Sequence, residues 1–214
     1  MNIPRLVCRV ALALPFAPTA GLAAAAAPAA VTLDWLGHEA PTVDGGVSWG
    51  VPWPRGQLRK GDNLVLTSAS GQSVPLQTWP MAYWPDGSVK WTGQAIATAA
   101  ALDGPLHLAV GPGTEVAAPL TVTRSATTVE VDTGAVRAVL PLAGTSLIAA
   151  LYVGGREVAR DARLIARRED RSRYEAEQIL REEDFASQIE DVKVEQDGPV
   201  RAVVKITGRH KSAT

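Results

Sequence analysis

The sequence predicts an all-β protein, and three observations support this prediction. Between Val31 and Thr123 the apolar runs are short and are separated by Gly, Pro, Asp, Asn and Ser. No segment of this region keeps the 3.6-residue apolar repeat of an amphipathic helix. Turn signals such as SGQ, PDG and DGP recur at the short spacing that is typical of small barrels and sandwiches.

The first thirty residues precede this β region and have the pattern of a secretory signal peptide. Arg5 and Arg9 are followed by an uncharged Ala/Leu/Val stretch and then by small residues suited to cleavage. Pro15 and Pro18 interrupt the apolar run, which is short for a bilayer span. We therefore predict a signal peptide over residues 1–30, a periplasmic or extracellular location, and no membrane association after cleavage.

Composition excludes several kinds of partner and site. Twenty-one Lys and Arg against twenty-two Asp and Glu give no electrostatic reason to expect nucleic acid. The only cysteine, Cys8, is removed with the signal peptide, so the mature chain has no thiolate for a metal. His38, His107 and His210 lie far apart without a shared motif. No metal and no cofactor are therefore expected.

The first domain is predicted over residues 31–124, with the composition change near Ser125 as its boundary. Its candidate strands are the segments VTLDWLG, GVSWGVPW, NLVLTS, VPLQTWPMAYW, SVKWTGQAIATAA and PLHLAVG. WPDGS is expected to reverse the chain between two of them. Pro85 presets φ for the first corner of a turn, and Gly87 tolerates a positive φ.

The strand after this turn alternates between two predicted faces. The inner face is expected to hold Val89, Trp91, Ala95 and Ala97. The outer face is expected to hold Lys90, Thr92, Gln94 and Thr98. This pattern predicts a half-buried strand with Trp91 pointing inward.

All six tryptophans fall inside the first domain, in a span of about sixty residues. Two roles are open to them. Indole rings stack on the apolar C–H faces of sugars, but a small domain without cysteine also needs aromatic bulk in its core. Packing is favoured over ligand binding for Trp79, Trp84 and Trp91 taken together. Among candidate carbohydrate contacts, Trp49 and Trp53 lie on a loop punctuated by Pro and Gly and are expected to be the more exposed. Trp84, with Arg55 as an anion contact, completes the candidate set.

The second half, residues 125–214, is predicted to be a further β unit. The segment TVEVDTGAVRAVLPLAG contains a DTG turn signal, and DVKVEQ and PVRAVVKITGRH flank a DG turn. The region between Arg156 and Lys193 is dense in charges of both signs. We predict a solvated long loop or ribbon there.

The segment GVPWPRGQLRKGDNLVLTSASGQSVPLQTWPMAYWPDGSVKW resembles the N-terminal RIFT-barrel domain of the PcRGLX/YetA-type exo-rhamnogalacturonan lyase family. The shared pattern is GVPWPRG, a GDxL turn, xGxxVPLQ and WPDGSVKW, in this order. The segments VEVDTGAVRAVLP and VEQDGPVRAVVKITGRH resemble the first strands of the β-sandwich-like domain that follows the barrel. The resemblance thus implies a small RIFT-type β-barrel followed by a partial β-sandwich-like domain.

The resemblance also implies a function. Family members cleave a uronate-containing pectin backbone by β-elimination, and their two β domains precede a large α/α-toroid domain. That helical domain is expected to be missing here, and no residue of this chain matches a catalytic motif. The implied function is the N-terminal, non-catalytic portion of an exported polysaccharide-lyase-like protein, with an acidic polysaccharide or oligosaccharide and the missing C-terminal domain as partners. The alternatives are a freestanding periplasmic carbohydrate-binding β module and a truncated relic without activity.

Overall fold

The computed structural model describes residues 28–42, 45–98, 102, 104–172 and 181–212. These residues form fifteen β strands and no helix, which confirms the predicted all-β class. It follows that no helix long and apolar enough to cross a membrane occurs in this part of the chain. Residues 1–27 lie outside the described residues, so the signal peptide stays a prediction.

The first seven strands form two antiparallel sheets, in the orders β1-β7-β3-β4 and β2-β6-β5. The strands are β1 (Val31–Leu33), β2 (Val47–Pro52), β3 (Leu64–Thr67), β4 (Ser73–Val74), β5 (Gln77–Tyr83), β6 (Val89–Ile96) and β7 (Leu106–Val110). Every candidate segment contains a strand. The segment VPLQTWPMAYW divides between β4 and β5 on either side of Pro75, which has no N–H to donate to a ladder.

The core of this first unit lies between its two sheets. Leu66 of β3 and Leu108 of β7 face each other in register and are 0% exposed. The remaining buried hydrophobic residues of the cluster are Val51, Trp53, Leu58, Leu64, Val74, Val89, Ile96 and Leu106. A core of this kind removes large apolar side chains from water and stabilises the barrel without a disulfide.

The second half forms a five-stranded and a three-stranded antiparallel sheet. The first, in the order β12-β11-β10-β9-β8, comprises β8 (Thr121–Arg124), β9 (Thr128–Asp132), β10 (Val136–Pro141), β11 (Ile148–Val153) and β12 (Arg156–Ala162). The second, in the order β13-β14-β15, comprises β13 (Ile165–Asp170), β14 (Arg181–Asp197) and β15 (Ala202–Ser212). Val129, Ile189 and Val192 are buried between these sheets.

The structure places β8 with the second unit, although the sequence predicts a boundary at residues 124 and 125. Val122 of β8 pairs with Val131 of β9 in the five-stranded sheet. Ser125 forms the turn between these strands, because its backbone N–H donates to Thr128 O at 2.9 Å. A composition change therefore falls within a hairpin here, since turn residues resemble linker residues in their polarity.

The charge-dense region is a ribbon over the residues that the structure describes. Arg167 and Arg168 of β13 lie opposite Asp184 and Glu183 of β14 in register. Arg167 Nε donates to Asp184 Oδ1 at 2.8 Å, and Arg168 pairs with Glu183. The interleaved signs of the sequence are thus cross-strand ion pairs on a solvated surface. Every residue of β12 is also exposed.

The two units meet at the turn between β14 and β15. Oε1 of Gln77, which is 8% exposed, accepts hydrogen bonds from the backbone N–H of Val200 at 3.0 Å and of Arg201 at 2.7 Å. Gln77 Nε2 donates to Arg201 O at 3.2 Å. At Gly198 a Cβ would lie 2.3 Å from this side chain. One barrel side chain therefore satisfies three backbone groups of the second unit.

Candidate functional site

The residues of the WPRG and WPDGS segments form one corner of the barrel, which we call the WPRG corner (Trp53–Gly56 with Trp84–Ser88). The backbone N–H of Gly56 donates to Ser88 Oγ at 2.9 Å, which ties the two segments together. The WPDGS turn has the predicted geometry. Gly87 has a φ of 82°, and its N–H donates to Trp84 O at 2.9 Å.

Trp53 and Trp84 bind each other and the barrel within this corner. Trp53 is 2% exposed, and its Nε1–H donates to Thr92 Oγ1 at 2.8 Å. Trp84 Nε1–H donates to Trp53 O at 3.0 Å. The expectation that Trp53 is an exposed candidate is therefore wrong. Its flanking prolines suggest a loop, but the side chain continues the inward alternation of Val51 on β2 and fills the core.

Arg55 extends from the same corner and is already paired with a carboxylate. Its Nε–H donates to Asp86 Oδ2 at 2.8 Å. Asp86 also accepts the hydroxyl of Ser88 at 2.6 Å. The hydrogen bonds from Ser88 and then from Arg55 lower the pKa of Asp86 to about 2, so this carboxylate keeps its charge at neutral pH. Arg55 thus links the two segments through its Nε–H and already has a carboxylate partner.

The structure separates Trp49 from the other three candidates. Its indole packs against the barrel core and lines a cleft of about 260 Å³ together with Trp35 and Leu106. Its Nε1 is buried without a hydrogen-bond partner among the described residues, and so is Oε1 of Gln94, its cross-strand neighbour. Trp84 remains half-buried, with Lys90 Nζ 4.6 Å from its ring centroid.

Trp91 lies on the face opposite to the predicted one. It is 39% exposed, whereas Thr92 at 2% and Gln94 at 0% are buried. The prediction assumed an unbroken alternation along β6. The pairing of β5 and β6 instead shifts register at Met81 and at Lys90, and a shift of this kind exchanges the two faces of a strand.

Trp79 and Trp91 cover two glycines on the outer face of the β2-β6-β5 sheet, and we call these two rings the outer indole patch. A Cβ on Gly93 would lie 2.4 Å from the Trp79 ring, and one on Gly50 would lie 2.3 Å from Trp91 Nε1. Gly50 and Gly93 are direct cross-strand partners, so the two indoles cover adjacent strands.

Sequence reasoning missed this patch, although it left a signal. Strand glycines commonly mark a close approach of another group, and aromatic side chains cover glycines across a sheet. The segments WGVPW and KWTG each place a glycine two positions or fewer from a tryptophan. For the tryptophans, the sequence left open core packing and ligand binding. Trp79 and Trp91 instead pack against the outside of the barrel.

The pKa shifts of the described residues come from hydrogen bonds and ion pairs on the surface. A hydrogen bond from Arg167 lowers the pKa of Asp184, and hydrogen bonds from Ser172 lower that of Asp170. A carboxylate that acts as a base near neutral pH needs a pKa raised by burial, which is the opposite direction. The geometry of these groups thus stabilises the surface and provides no acid–base pair. No three His, Cys, Asp or Glu side chains cluster as metal ligands within the described ranges.

Two comparisons with known proteins match this architecture. Residues 29–111 match the PcRGLX-like N-terminal RIFT barrel domain, and residues 120–214 match the PcRGLX-like protein central beta sandwich domain. The uncharacterized protein YetA of Bacillus subtilis (strain 168) is 36% identical over 178 residues. That alignment covers 83% of this chain and 21% of YetA, so the matched region spans about a fifth of the length of this relative.

Proposed function

Because the chain belongs to the PcRGLX-like family, we propose that it is the N-terminal, non-catalytic portion of an exported polysaccharide-lyase-like protein. In this proposal the complete protein acts on a pectin-type, uronate-containing polysaccharide by β-elimination. The mature chain is periplasmic or extracellular. The two β units then serve as a scaffold and a binding surface for chemistry carried elsewhere in the polypeptide.

The WPRG corner carries this proposal. The WPRG and WPDGS segments carry the most specific part of the family pattern, and their polar groups form hydrogen bonds within the barrel. These bonds join Trp53 to Thr92, Trp84 to Trp53, and Gly56 to Ser88. The charged pair in the pattern, Arg55 and Asp86, likewise joins two segments of the corner. A pattern whose buried donors and acceptors bind within the barrel maintains a fold.

The length of the relative supports the same division of roles. The alignment covers 21% of YetA, so most of that protein lies outside the aligned region. We propose that a further domain of the same polypeptide supplies the base, the enolate-stabilising cation and the acid that β-elimination needs. This chain would then meet that domain as an intramolecular partner.

A lyase assay tests the proposal. The purified mature chain is incubated with rhamnogalacturonan, and unsaturated uronate products are followed by ultraviolet absorbance. We expect no product beyond that of the heat-denatured chain. A steady release of unsaturated product by the native chain, lost on denaturation, would refute the non-catalytic role.

Export has its own test. The chain is expressed with residues 1–30 in a Gram-negative host, the periplasm and medium are collected, and the new N-terminus is identified by mass spectrometry. We expect cleavage within the alanine run that ends the first thirty residues. A product that retains Met1 and stays in the cytoplasm contradicts the proposed location.

A freestanding carbohydrate-binding module is the second candidate function. The cleft beside Trp49 favours it, because clefts lined mainly by apolar and aromatic side chains are common ligand sites. Tryptophan fluorescence is measured during titration with acidic oligosaccharides, with Trp49→Phe as the comparison variant. Quenching that the variant reduces supports this candidate, and the absence of any sugar-dependent change excludes it.

A further inference from the structure

Arg201 is held in a defined position at the junction of the two units. Gln77 binds both its backbone N–H and its backbone oxygen. Its guanidinium lies over the Trp79 ring, with Cζ 5.1 Å from the ring centroid. The side chain itself is only half-buried. A side chain that is normally mobile is therefore fixed at its backbone and at its tip.

The Arg201 guanidinium has no carboxylate partner in the part of the chain that the structure describes. Some arginines of this region, such as Arg55, Arg137 and Arg167, lie within ion-pair distance of an acidic side chain, whereas others, such as Arg156 and Arg163, share the unpaired state of Arg201 but not its fixed position. A planar guanidinium binds a carboxylate through two parallel N–H groups, and its cation–π contact leaves these edge donors available. Among the residues with a described position, Arg201 is thus a positioned cation without an internal anion.

Trp91 provides an open aromatic surface beside Trp79, the ring over which this cation lies. Its ring covers Gly50, Trp79 covers the neighbouring Gly93, and Arg201 covers Trp79. Adjacent strands lie about 4.8 Å apart, so the two indoles are neighbours on one face. The exposed fraction of Trp91 is 39%, whereas Trp79 has a glycine on one side and a guanidinium on the other. The free stacking surface is therefore that of Trp91.

We propose that the outer indole patch and Arg201 form a subsite for a uronate residue of an acidic oligosaccharide. The apolar C–H face of a pyranose ring stacks on Trp91 while a carboxylate of the bound sugar pairs with Arg201. This inference rests on the proposed function, which supplies the uronate. It adds a non-catalytic binding site, built jointly by the barrel and the second unit.

Calorimetric titration of the mature chain provides the test. The ligands are a rhamnogalacturonan oligosaccharide and the same oligosaccharide with its carboxylates reduced to alcohols. We expect at least about tenfold tighter binding of the acidic form. Arg201→Gln should abolish that preference without unfolding the junction, because Gln77 holds backbone atoms of residue 201. Lys205→Gln, an exposed charge removal on β15, is the matched control and should leave it unchanged.

The aromatic half of the subsite is tested separately. Trp91→Ala should weaken binding of both ligands by about tenfold or more, while Trp91→Phe keeps a ring and part of the affinity. Absence of binding, or binding that the Trp91 and Arg201 variants leave intact, would overturn the subsite. Neither outcome touches the proposed non-catalytic role, which the lyase assay decides alone. Loss of oligosaccharide binding in Trp49→Phe, but not in the Trp91 and Arg201 variants, would place the sugar in the Trp49 cleft.

Discussion

The barrel and the second unit are similar in length but differ in how they are stabilised. Among the described residues, the barrel cluster has ten buried hydrophobic residues, whereas the cluster of the second unit has three. Around Val129, the surrounding apolar side chains such as Val131, Leu140 and Ile206 are only half-buried. Because stabilisation grows with the apolar area removed from water, this contrast means that the barrel is the more stable unit.

The contrast also teaches how the weaker unit is supported. Its hairpin turn is bound by Gln77 of the barrel, and its outer ribbon is joined by ion pairs such as Arg167 with Asp184. Exposed ion pairs contribute little each, about 0–1 kcal/mol. The junction with the barrel is therefore its principal support outside its own core.

A pair of core truncations should give the largest effects and separate the two units. Leu108→Ala leaves a cavity at a position that is 0% exposed, and we expect a loss of about 2–5 kcal/mol from the barrel. Val129→Ala, also at a 0% exposed position, should lower only the unfolding transition of the second unit. Urea unfolding is followed by tryptophan fluorescence, which reports the barrel, and by circular dichroism. Equal shifts of one shared transition in both variants would show a single cooperative fold instead.

Removal of the Gln77 side chain should uncouple the two units. Gln77→Ala leaves three backbone groups of the second unit without their partner, at a cost of about 1–3 kcal/mol. Amide hydrogen exchange at Val200 and Arg201 should accelerate, and proteolysis after Arg124 should become faster than within the barrel. Gln72→Ala, an exposed glutamine on the barrel, serves as control. Unchanged protection at Val200 would show that the junction does not depend on this side chain.

A methyl group at Gly93 should disturb only the outer face of the barrel. In Gly93→Ala the new Cβ would lie 2.4 Å from the Trp79 ring, which must move away. We expect a loss of about 1–3 kcal/mol and a red shift of tryptophan emission. Gly37→Ala, where nothing lies within 4 Å of the new Cβ, is the control. An unshifted emission spectrum would contradict the close contact of Trp79 with the strand.

Lowering the pH should give the smallest loss of folding stability, and the loss should occur in both units. The pKa of Asp86 is lowered to about 2 in the barrel, and that of Asp184 is lowered in the ribbon. A lowered folded-state pKa means that the stabilisation is present above the unfolded pKa, near 3.9, and is lost as pH falls towards 2. Asp86→Asn should remove this dependence in the barrel only, measured by thermal unfolding between pH 2 and about pH 5. An identical acid profile in the variant would mean that other groups cause the loss.

Local pattern predicted much of the barrel, because its strands are bounded by turn residues with specific backbone demands. Gly87, with its positive φ, is such a residue. Alternation could not predict on which face of β6 Trp91 lies, because the register shifts at Met81 and Lys90 depend on the pairing of two strands. The burial of Trp53 was missed because prolines on either side suggest a loop.

No local sequence pattern predicts the contact between the two units. Gln77 binds residues 123 and 124 positions away in the chain, so only the folded arrangement reveals its role. The same holds for the contact of Arg201 with the Trp79 ring, since these residues belong to different units. Of the predicted contact residues, Trp53, Arg55 and Trp84 do come together, but their side chains donate to groups of the barrel itself, namely Thr92, Asp86 and the backbone oxygen of Trp53.

The exposed strand β12 has a consequence for solubility. In the described part of the chain β12 is the edge strand of its sheet, and such an edge offers backbone donors and acceptors to which other chains can add a strand. Arg156, Glu157 and Arg160 crowd this rim with charge, and Asp161 has a φ of 51°, which bends the chain out of the extended form. A second copy therefore finds neither a flat nor a neutral strand to pair with. The rim is protected against fibre formation while the protein is concentrated outside the cytoplasm, where we propose that it works.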